Sequence, residues 1–130
     1  MRKTTTILSV FAVLVLVTAL VPAMAQHKSA KGKVVTVTGE VIDTACYFAG
    51  GKHGESHRKC AAMCINGGIP AGLLAEDGTI YILNEDHSDE ARVKAYEQVK
   101  EHAADKITVT GTLVEKSGIK MLFVHEVKAS

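Results

Sequence analysis

Tryptophan is absent from this chain, and aromatic residues of all kinds make up 5% of it. With three tyrosines and three phenylalanines, the chain has no series of rings on which the bases of a single strand would stack. Charge is nearly balanced, at a formal net +1, so the basic stripe that phosphate backbones require is missing. Together these absences exclude nucleic acid as a partner. Proline occurs twice, and no internal repeat or low-complexity tract interrupts the chain. Gly50-Gly51 lacks the following Lys-Ser/Thr of a phosphate-binding loop. No Ser-His-Asp or Cys-His-Asn order suggests itself, and the carboxylates around residues 89–101 read as a solvated helix face rather than a catalytic pair. Nothing here points to an enzyme.

Long apolar runs are also scarce. The uncharged stretch Ile7 to Val21 is shorter than the roughly 20 residues of a spanning helix. It follows Arg2 and Lys3 and precedes Ala23-Met24-Ala25, the layout of a secretory signal peptide cut after Ala25; an uncleaved anchor is the alternative. Residues 1–25 are therefore expected to direct export to a periplasmic or extracellular location, with no membrane attachment after cleavage. Losing two positive charges would take the net charge to about −1. Residues 26–33 read as a polar linker and residues 34–130 as a single small domain.

Cysteine is the third scarcity. There are three, and all fall in one stretch, C-Y-F-A-G-G-K-H-G-E-S-H-R-K-C-A-A-M-C, from Cys46 to Cys64. Glu55 to Ile65 has no internal Gly or Pro and runs into Gly67-Gly68, which predicts a short helix with a glycine stop. On that helix His57, Cys60 and Cys64 share a face, being three and four apart. Cys46, arriving from the preceding segment, supplies a third thiol. Three sulfurs and an imidazole suit a borderline or soft ion, zinc or copper. His53, in the glycine-rich loop, is the candidate for a fifth or exchanging ligand. Met63 and Met121 are assigned to core packing, Tyr47 and Phe48 to covering the helix, and His87, His102 and His125 to the surface.

The rest of the chain is mainly β with two helices. Alternating β-branched residues make Val34 to Thr44 strand 1, with Gly39 marking a bulge or bend. Asp77-Gly78 between Ala71–Glu76 and Thr79–Asn84 predicts a hairpin. Ser88 opens a helix over residues 91–104, with Val93, Tyr96, Val99 and Ala103 as its buried stripe. Ile107–Glu115 and Ile119–Val127 close the chain as two strands around Ser117-Gly118. Without the Cys/His helix inserted between strands 1 and 2, this is the order of an OB-like five-stranded Greek-key barrel, whose first connecting loop commonly binds ligands.

G-E-V-I-D-T-A-C-Y, H-R-K-C-A-A-M-C-I and G-I-P-A-G-L-L, between Gly39 and Leu74, resemble a family of small, uncharacterised exported bacterial proteins of OB-like fold. The resemblance implies export and the barrel, and no reaction. The sequence thus leads to an exported transition-metal-binding protein with a structural, carrier or sensing role, whose partners are the ion and another exported protein. The alternative is a disulfide-stapled OB-like ligand- or protein-binding module without metal, in which Cys46 is bridged to Cys60 or Cys64. Closing such a loop would contribute about 3 kcal/mol in the chain-entropy model.

Overall fold

A computed structural model describes residues 30–130 of the protein; the expected signal peptide and most of the linker lie outside the described residues. Five strands form a closed barrel: β1 (Lys33–Asp43), β2 (Ala71–Ala75), β3 (Ile80–Asn84), β4 (Lys106–Lys116) and β5 (Ile119–Ala129). Around the barrel the order is β1-β2-β3-β5-β4, with β4 returning to β1. All neighbours are antiparallel except β3 and β5, which run parallel. At this level the OB-like reading holds.

The helices differ from the expectation in number and placement. Among the described residues there are three: α1 (Thr44–Gly50), α2 (Arg58–Asn66) and α3 (Glu90–Glu101), with a 3-10 turn at Glu55–His57 leading into α2. The insertion between β1 and β2 is therefore two helices and a turn, not one helix. The additional helix is fixed at both ends. Asp43 accepts the Cys46 amide at its start, and Gly51 ends it in the left-handed region (φ 64°), donating to the Tyr47 carbonyl at 2.7 Å. Only glycine enters that region without a Cβ penalty.

The barrel encloses Val41, Leu73, Leu83, Ile107, Val109, Leu122 and Val124, each at most 1% exposed. These positions alternate along their strands, as a one-sided sheet requires. Ala61 and Ile65 of α2 and Ala95 and Val99 of α3 join the same core. Of the predicted α3 stripe, Val99 and Ala103 are buried, while Val93 and Tyr96 are only partly covered and Ala95 takes the central place. The N-cap is Asp89 rather than Ser88.

Gly39 is not a bulge. It is paired on both sides, to Ala75 and to Ile107, where β1 passes from β4 to β2. A Cβ there would lie 2.5 Å from the Leu74 carbonyl oxygen, so the close approach of backbones demands glycine. The register shift occurs instead between Thr110 and Gly111 in the β4–β5 pair. Just beyond α3, the Ala104 amide donates to the Val41 carbonyl at 2.8 Å and the Val41 amide to the Asp105 carbonyl at 2.9 Å. These bonds pin β1 two residues before Asp43, where the insertion starts.

Candidate metal centre

Asp43 ends β1, pairing with Ala71, and starts α1 as its N-cap. A carboxylate in that position accepts a free amide of the first helical turn, and this one has no solvent exposure. One oxygen, Oδ1, takes the Cys46 amide at 2.8 Å. The other, Oδ2, lies 2.9 Å from Nε2 of His57. Burial alone would raise the Asp43 pKa, but hydrogen bonds from Cys46 and His57 outweigh it and hold the group below its ordinary value. A carboxylate so kept ionised only accepts, so Nε2 carries the proton and donates.

Cys46 projects from α1 toward α2. Its sulfur, an imidazole nitrogen of His57 and the sulfur of Cys60 lie within 4.8 Å of one another. The Cys46 and Cys64 sulfurs form a second such group with an Asp43 oxygen. Cys60 and Cys46 also lie near enough to Cys64 to perturb its titration. Cys46, carried on α1, is thus common to both groups, with His57 and Cys60 in one and Cys64 in the other. All three cysteines are free thiols, so the bridge of the alternative reading is not formed. Each thiol is half-buried, and the His57 side chain is 15% exposed.

Two of the thiols, Cys46 and Cys64, are held in protonated form. Donation to the ionised Asp43 pushes Cys46 up to about 12, with burial adding to it. Cys64 is raised by burial first, then by its neighbour Cys60. A cation entering such a cluster displaces protons, since thiolate is the ligand form. Three sulfurs and one imidazole nitrogen make a donor set for a tetrahedral zinc or a thiolate-preferring copper ion. The residues present fit either ion.

Other expectations are corrected. His53 does not join the cluster; its Nδ1 lies 3.1 Å from Glu40 Oε2 and its ring 5.9 Å from that of Tyr47. Met63 is 70% exposed and Phe48 66%, so neither packs as foreseen. On α2 the core takes Ala61 and Ile65, four apart, and Met63 stands midway between them in sequence and faces away. Met121 is partly covered, lying with Val114 and Ile119 along a shallow surface hollow. His125 is not simply a surface residue: its side chain is 14% exposed and its Nε2 lies 3.0 Å from Thr112 Oγ1 and 3.3 Å from Asp86 Oδ2.

Arg58 holds the start of α2 in place. It pairs with Glu55, reaches Asp105 Oδ1 at 2.7 Å, and donates to the Ala103 carbonyl at 2.9 Å. The helix carrying Cys60 and Cys64 is thereby tied to the same turn that pins β1. Sequence reasoning missed Asp43, the residue that touches both sides of the cluster. The signal was present: D-T-A-C places an N-cap residue three before a cysteine, and Gly50-Gly51 supplies the stop. Compared with models of known protein families, the chain matches none, and a search of curated proteins likewise finds no match, so the donor set itself is what bears on function.

Proposed function

We propose that this chain is an exported protein that binds one transition-metal ion, zinc or copper, through Cys46, His57, Cys60 and Cys64. The observation that carries the reading is that the Cys46 sulfur lies within 4.8 Å of a His57 nitrogen and the Cys60 sulfur in one group and of the Cys64 sulfur in another, all three cysteines being free thiols. The core contains none of the four donors: most of it lies on the five mutually paired strands, and α2 and α3 add Ala61, Ile65, Ala95 and Val99. The ion would then fasten α1 to α2 rather than drive folding of the whole domain, unlike the small zinc modules that unfold when stripped. The three cysteines are only partly buried, which leaves a competing ligand an approach and favours a carrier or sensing role over a sealed structural one. The counterpart chemistry is a thiol- or imidazole-bearing site on another exported protein. Export itself is supported by the basic start, apolar run and Ala23-Met24-Ala25 of the sequence.

The test is metal content of the unreduced protein, followed by thiol counting before and after chelation. One ion per chain, with three reactive thiols exposed by chelation, supports the proposal. A single reactive thiol throughout would instead identify a Cys46 bridge and remove the metal site. His57→Ala should weaken retention of the ion while leaving the barrel folded.

A further inference from the structure

The cluster has an organising residue outside its donor set. Asp43 is fully buried, and its two oxygens are divided between the two halves of the site: Oδ1 on the Cys46 amide, Oδ2 on His57 Nε2. Every buried polar side-chain atom among the described residues has a partner, so this carboxylate is not left over from packing. An imidazole whose Nε2–H is taken by a buried carboxylate has only Nδ1 to offer an ion. Carboxylate–imidazole pairs of this kind set the ring's tautomer and orientation and raise its basicity as a ligand.

We infer that Asp43 is the positioning residue of the metal centre, fixing His57 as an Nδ1 ligand while its other oxygen sets the helix turn that delivers Cys46. The inference rests on the metal reading above. It goes further by naming the coordinating atom and by separating Asp43 from the ligands, although an Asp43 oxygen lies within 4.8 Å of the Cys46 and Cys64 sulfurs. Direct ligation by Asp43 is the competing role, since a carboxylate has lone pairs beyond those that take the Cys46 amide and His57; the Asp43–His57 contact is what favours positioning over ligation.

The deciding experiment is nuclear magnetic resonance of the full mature chain loaded with spin-active cadmium and labelled with heavy nitrogen. Scalar coupling from cadmium to His57 Nδ1, together with a slowly exchanging Nε2 proton, is the expected result. Coupling to Nε2 overturns the assignment while leaving the metal reading intact, whereas failure to take up cadmium removes both. Asp43→Ser adds a second readout, because serine retains a helix-capping oxygen but has none to reach His57. Retention of the ion is expected to fall about 10- to 100-fold, with the far-ultraviolet spectrum preserved and the His57 ring no longer held in one tautomer. Unchanged affinity and tautomer in this variant would overturn the inference. Should the variant fail to fold, the coupling measured in the unsubstituted protein still decides.

Discussion

Arg92 reaches across from α3 to Asp86, its Nη1 2.7 Å from Oδ2 of a carboxylate that is 3% exposed. Ser88 donates its amide to the other oxygen at 3.0 Å, and His125 of β5 approaches Oδ2 at 3.3 Å. The group joins the connection after β3 to α3 and to β5, at the segment that seats the helix on the barrel. It stands apart from the metal cluster, so its contribution to stability can be measured separately.

Burial would raise the Asp86 pKa, but the Ser88 amide and hydroxyl and the Arg92 guanidinium overcome it and hold the group at about 2. The folded value is thus below the unfolded one, and the linked stability is fully present above the ordinary aspartate value of 3.8 and lost as pH falls toward about 2. Denaturant melts are expected to show stability declining over that acid window. Asp86→Asn should flatten the decline and cost about 2 kcal/mol at neutral pH, the scale of hydrogen bonds to a charged group. An unchanged acid profile in this variant would remove Asp86 as its source.

Metal uptake should release protons. Cys46 titrates near 12 and Cys64 is also raised, so both are thiols at neutral pH and both must deprotonate to ligate. Below those values, affinity is expected to rise with pH, by about a hundredfold per unit if two protons leave. Calorimetric titration in buffers of different ionisation enthalpy counts the protons directly. Release of none would mean that the sulfurs are not the ligands.

Gly39→Ala should damage the barrel and spare the donor set. The added Cβ meets the Leu74 carbonyl oxygen at 2.5 Å, a backbone atom that cannot swing aside, so the β1–β2 seam must spread. A loss of about 1–3 kcal/mol is expected, as for other overpacked sites, with metal stoichiometry unchanged. Wild-type stability in this variant would show that the barrel tolerates a wider corner.

Met63→Gln is expected to be nearly neutral, within about 0.5 kcal/mol, because the side chain is solvent-facing and the helix propensities are alike. Ile65→Ala on the same helix removes a side chain 3% exposed in the common core and should cost about 2–4 kcal/mol. Thermal melts of the two distinguish the faces of α2. Equal losses would contradict the burial pattern.

The strands were legible because their residues alternate, and the β2–β3 hairpin because Asp77-Gly78 names its own turn. The short helix α1 was not. Seven residues are too few for a 3.6-residue period to declare itself, and its first neighbour, Asp43, also completes the ladder of β1 by pairing with Ala71. One residue ending a strand and capping a helix leaves no loop between them to mark the change. The ligand spacing His57, Cys60, Cys64 was legible because two of its members ride one helix. Asp43 and the Asp86–Arg92–His125 group were not, since each joins segments whose proximity depends on the closed barrel. Met63 misled because hydrophobicity speaks to burial only when the facing side is known.

The parallel seam between β3 and β5 rests on three residue pairs, Ile82 to Asn84 against Met121 to Phe123. The equally short β2–β3 ladder is bridged by a tight turn, whereas this one joins segments far apart in the chain. Parting it would turn the cylinder into a sheet with two raw margins, one of them the apolar row Ile80 to Leu83. Such margins recruit strands from neighbouring molecules. The shortest distant join in the wall is thus the place where thermal opening would begin and where clumping of the protein would take hold.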